Sequence, residues 1–149
     1  MAQVGNRTRI ALVLLDGFVG LTALGGGLAM AAGIDRFPPE WLRGSPFADY
    51  ALPGLILMLV GAVAAVAAAT AWRRVHRAAE ASALAGAILV GWILGEIAIL
   101  HRNGAAQDPR SPTEAIYLLV GVAILGSGLE SALRRSSSAN PSQFPPKRH

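Results

Sequence analysis

Four runs of apolar residues, each about 20 residues long, decide what this chain can become. They extend over about Ile10 to Ala32, Leu52 to Trp72, Ala81 to Leu100 and Ala115 to Leu133. A helix rises about 1.5 Å per residue, so about 20 residues cross the roughly 30 Å hydrocarbon layer of a bilayer. The runs are apolar in long blocks and not in stripes, the pattern of helices that meet lipid rather than water on their outer faces. With 53% apolar and 15% charged residues, the remaining polar surface is too small to cover a soluble domain of 149 residues. The expected fold is therefore all-α, a four-transmembrane-helix bundle over residues 1–135. A serine- and proline-rich basic tail over residues 136–149 is expected to stay disordered and cytoplasmic.

The same composition removes several kinds of chemistry. The chain has no cysteine, so disulfides, thiolate metal sites and dithiol redox chemistry are excluded. His76, His101 and His149 fall in separate segments without metal-ligand spacing. No nucleophile stands beside a base, and no glycine-rich phosphate loop occurs. An enzyme acting on lipid or quinone is the weakest reading, and neither a metal nor a cofactor is expected. The formal charge of +4 comes from basic residues beside span ends, not from a patch interleaved with aromatics, so the expected surroundings are the lipid bilayer and not nucleic acid.

Those basic residues also predict orientation. Arg7, Arg9, Arg73, Arg74, Arg77, Arg134, Arg135, Lys147 and Arg148, nine of the thirteen, fall in the segments that share a side with the two ends. Basic residues accumulate in short cytoplasmic segments, so both termini are expected inside a cell membrane, and the loop from Ile34 to Ala51 outside it. A charged start followed by an apolar run also fits a cleaved signal peptide. A run of about 23 residues interrupted by Asp16 favours a retained span instead.

Polar residues within the spans mark the candidate sites. Asp16, Gly20, Ala23 and Gly27 share one face of the first helix, which predicts an inward carboxyl beside a close helix contact. An ionisable side chain in a span must face protein or water. Glu96, with Trp92 one turn earlier on the same face, is the second candidate. By helix rise Asp16 lies about 10 Å and Glu96 about 20 Å from the inner boundary, too far apart for one two-carboxylate site. Gly20, Gly27, Gly61, Gly91, Gly95, Gly121 and Gly128 are the expected helix-packing positions, with Gly91 and Gly95 forming a G-x-x-x-G pair that suits either a dimer or an internal contact. In the first outer loop Trp41, Phe47, Asp49 and Tyr50 form a candidate interface, and aromatic rings of this kind also anchor at headgroup level. Ser45 before Pro46 predicts an N-cap opening a short helical turn, and Ser111 before Pro112 predicts the cap of the fourth helix. Glu130 and Arg134, four residues apart, suit an ion pair.

The stretch Ser45-Pro46-Phe47-Ala48-Asp49-Tyr50-Ala51-Leu52-Pro53-Gly54-Leu55 resembles a loop motif of small bacterial four-helix integral membrane proteins with no assigned activity. More distantly, the chain is similar to DoxX-like membrane proteins, which are linked to quinone or sulfur chemistry. The resemblance implies the four-span topology and no mechanism, and the missing cysteines depart from dithiol chemistry. Two functions follow as expectations. One is a non-catalytic scaffold or modulator that packs as a homo-oligomer or against a membrane-protein partner. The other is a small transporter or proton-coupled channel using Asp16 or Glu96.

Overall fold

The computed structural model describes residues 5–34, 42, 45–102 and 112–138. Within them the chain forms four helices: α1 (Asn6–Ala31), α2 (Ala51–Trp72), α3 (Ala78–Arg102) and α4 (Pro112–Ser138). All four are long and apolar enough to cross a membrane. No strand occurs among the described residues.

The helices are built for a solvent that cannot hydrogen-bond. In lipid, each backbone and hydroxyl group has to be satisfied within the protein. Thr22 donates to the Phe18 carbonyl at 2.7 Å and Thr70 to the Ala67 carbonyl at 2.8 Å, so both hydroxyls are absorbed by their own helix. At the start of α2 the Asp49 carboxylate accepts the Ala51 N–H at 3.0 Å. Pro53 then falls in the first turn, where its missing N–H costs nothing.

Two helices end in the same way. At the C-terminus of α1, Ile34 N–H bonds to the Ala29 carbonyl and Gly33 N–H to Met30, with Gly33 at φ +67°. At the end of α2, Val75 N–H bonds to Thr70 and Arg74 N–H to Ala71, with Arg74 at φ +55°. Both are Schellman turns, whose left-handed position usually belongs to glycine. In the second, an arginine carries the steric conflict of that backbone, about 1 kcal/mol.

The bundle is two tight hairpins joined more loosely. α1 packs most extensively on α2, and α3 on α4, while α2–α3 contacts are fewer and α1 meets α4 and α3 only sparsely. In the first seam, a Cβ added at Gly27 would lie 2.6 Å from the Gly54 carbonyl oxygen, and one at Gly20 would lie 2.9 Å from the Ala65 nitrogen. Gly61 meets Leu24 backbone at 2.7 Å in the same way. In the second seam Gly86 meets Leu125 nitrogen at 2.6 Å, Gly128 meets Ala83 nitrogen at 2.7 Å, and Gly121 meets the Val90 side chain at 2.9 Å. Both seams pair in opposite chain directions, so the helices alternate and the far ends of α1 and α4 lie on one side. Between the hairpins sits a core of Val19, Val60, Ala64, Ala67, Ala85, Leu89, Ile93 and Ile124. Phe18 and Tyr117 stack with ring centroids 6.0 Å apart, bridging α1 to α4.

Three local expectations are revised. Ser45 does not open a helical turn: its hydroxyl donates to the Leu42 carbonyl at 2.8 Å and accepts the Phe47 N–H at 3.2 Å, closing a bend. That local bonding competes with helix. α3 begins at Ala78, three residues before the expected span, because Ala78 and Ala79 are buried against the bundle. α4 runs to Ser138, past the expected boundary at residue 135, with Ser137 donating to the Leu133 carbonyl. Pro112 opens α4 as expected, whereas Ser111, Trp41 and residues 139–149 lie outside the described residues.

Replacing Gly27 with valine forces backbone apart and is expected to destabilise the bundle by about 1–3 kcal/mol in reversible detergent unfolding. Gly17→Ala, where nothing lies within 4 Å, should leave stability unchanged or slightly raised through helix propensity.

Candidate functional site

Among the described residues, the interior holds one carboxyl. Asp16 lies on the buried face of α1 with Leu12, Val19, Gly20 and Ala23 and is fully buried. It faces α3, where the equally buried Ser82 donates its hydroxyl to Asp16 Oδ2 at 2.6 Å. This bond crosses between the two hairpins at a level where α1 and α3 otherwise have few contacts. The second oxygen, Oδ1, has no hydrogen-bond partner among the described residues. Below the pair, toward the α2–α3 turn, Leu12, Ala71 and Ala78 close the interior as a small apolar cluster. Above it begin Val19, Ala64 and Ala85 of the main core. The carboxyl is enclosed by apolar side chains on both sides.

Helix position explains why Ser82 escapes a reading of the sequence. In the expected span it stands at the second residue, where a hydroxyl suits the interface. The earlier start of α3 moves it into the second helical turn, on one face with Ala79 and Gly86. The stripe Ala79, Ser82, Gly86 is the signal, and Gly86, like Gly54, packs against a neighbouring helix without being among the expected packing glycines.

Glu96 belongs to a different environment. It lies 14 residues beyond Ser82 on α3, about 21 Å along the helix, and is exposed on the bundle surface. Trp92 is half-buried and packs on the core. Asp16 and Glu96 are therefore not brought together. In the first loop, Phe47 and Tyr50 are half-buried and Asp49 is exposed, and Asp49 is engaged in starting α2. Glu130 and Arg134 form the exposed ion pair expected of them, at 2.7 Å.

The glycines divide into two groups. Gly20, Gly27, Gly61, Gly121 and Gly128 sit against neighbouring helices. Gly91 and Gly95 are exposed on the outward side of α3, and among the described residues a Cβ at either meets nothing within 4 Å. The inward face of α3 is taken by Ala85, Leu89 and Ile93, which leaves those two glycines turned away. Among the described residues, no group of three His, Cys, Asp or Glu side chains could hold a metal ion.

These features define an all-α bundle of four membrane-length helices with one enclosed acid. No family model, curated protein or solved structure matches the chain.

The Asp16–Ser82 bond is testable by a double-mutant cycle. Ser82→Ala strips the buried carboxyl of its donor and is expected to cost about 1–2 kcal/mol, with a coupling of about 1 kcal/mol to Asp16→Ala. Additive losses in reversible unfolding would show that the two side chains do not act together.

Proposed function

We propose that this chain is a non-catalytic multi-pass protein of the cell membrane that packs against a second copy of itself or another membrane protein. The observation that carries this reading is the contrast among its glycines. Where glycines lie between helices of the chain, backbone is already against backbone. Gly91 and Gly95 offer the same surface outward, with Ala87 four residues before and Leu94 and Ala98 beside them on the exposed side of α3. Of the described glycines with open space around them, these two alone are spaced by four. Without a hydrophobic force between helices in lipid, such small-residue faces are where helices associate. Enclosure of Asp16 also argues for an acid that organises the bundle and against one that meets a substrate. Nine of the thirteen basic residues fall on the side of the two ends, which supports cytoplasmic termini. The likeness of the Ser45–Leu55 stretch to small bacterial four-helix membrane proteins agrees with this reading.

Gly91→Leu and Gly95→Leu are expected to weaken self-association or partner capture in mild detergent while leaving thermal unfolding of the bundle unchanged, because both side chains enter open space. Unaltered assembly in both variants would remove this contact. A second reading, proton-coupled transport, is favoured by the unpartnered Asp16 Oδ1. It requires that Asp16→Asn or Glu96→Gln abolish a pH-driven flux in reconstituted vesicles. Equal flux in parent and variants would end it.

A further inference from the structure

Between the two hairpins, α2 and α3 leave an open groove of about 270 Å³ lined by Ala62, Val63, Val66, Ala67, Ala81 and Leu84. Its lining has no polar surface, and it lies in the part of both helices that is long and apolar enough to be in the membrane. At one end stands the α2–α3 turn. The lining residues nearest the turn are Ala67, six residues before Arg73, and Ala81, four residues after Arg77, so the groove begins about 9 Å from the turn along α2 and about 6 Å along α3. That turn holds Arg73, Arg74, His76 and Arg77, all exposed. Glu80, exposed one turn into α3, offsets one of the three arginine charges and leaves two in excess.

We propose that this groove and the turn at its end form a site for one anionic phospholipid, with an acyl chain in the groove and the phosphate at Arg73, Arg74 and Arg77. The order along the helices is that of a lipid: charge at the turn and an apolar groove beside it, deeper in the span. Guanidinium groups pair phosphate oxygens in a bidentate way, and basic pockets between membrane helices take anionic headgroups. A zwitterionic lipid offers the same chain but no net charge for the turn. The apolar groove alone selects no headgroup, and the arginines alone select no position along the helix.

The left-handed turn supplies a variant whose effects on fold and on lipid run in opposite directions. Arg74→Gly removes one charge while giving the φ +55° position the residue that suits it. If Arg74 served only the turn, this change would be harmless or stabilising in every assay. As part of a phosphate site, it is expected to lower retention of anionic lipid about fivefold, the equivalent of about 1 kcal/mol for each basic residue at the surface. Ala62→Phe tests the other half, because Ala62 is exposed at the groove and a ring there occupies it without altering charge.

The experiment reconstitutes the full chain in vesicles of mixed phosphatidylcholine and phosphatidylglycerol, extracts it in neutral detergent, and counts retained lipids by native mass spectrometry. The parent is expected to keep one phosphatidylglycerol in preference to phosphatidylcholine. Arg74→Gly is expected to retain about fivefold less of it and Ala62→Phe to lose it, while thermal unfolding of each matches or exceeds the parent's. Equal retention of the two lipids by the parent overturns the site. Loss in Arg74→Gly with full retention in Ala62→Phe reduces it to bulk attraction between charge and bilayer, and the groove assignment falls. Retention in Arg74→Gly at the parental level removes the headgroup assignment.

Discussion

Helices in lipid have little to gain from burying apolar surface, since a neighbouring helix is no less polar than an acyl chain. What holds this bundle is contact at backbone range. Gly20, Gly27, Gly54 and Gly61 let α1 and α2 approach until peptide groups touch, and Gly86 and Gly128 do the same for α3 and α4. Each atom pair adds only about 0.1–0.2 kcal/mol of dispersion, but a seam of several turns sums many of them. The two seams make two hairpins, and everything else in the fold is arranged by how those hairpins meet.

They meet through smaller forces. The residues between them are mostly alanine and valine, with Leu89, Ile93 and Ile124 filling the remaining volume. Into this interior the chain places a carboxyl and a hydroxyl, on the two helices that are diagonal neighbours. A hydrogen bond in such surroundings has no water competing for it, and it is also directional, which apolar contacts are not. The Asp16–Ser82 bond therefore does what the alanine surface cannot: it selects one rotation and one height of α3 against α1. The Oδ1 atom left without a donor is the cost of using a two-oxygen acid where one donor is present.

The topology was legible because length and hydropathy are carried by whole blocks of residues. Four spans, their alternation and the inward face of Asp16 follow from counting along a helix. Ser82 was not legible, because three residues of uncertainty at the start of α3 separate an interfacial serine from a buried one. The start at Ala78 depends on alanines packing against α1 and α4, which is tertiary information. Gly91 and Gly95 show the reverse difficulty. The motif is plain in the sequence, but which way it faces is decided by Leu89 and Ile93 taking the interior. Glu96 could be placed at a depth along its helix, and only the assembled bundle puts it on the surface.

The unequal seams have a mechanical consequence. Four rods gripped in pairs, with a mostly small apolar layer and the Asp16–Ser82 bond between the pairs, resist separation within a pair far more than between pairs. Pulled apart by its ends, such an assembly would divide first along the α2–α3 boundary into two halves that each remain intact.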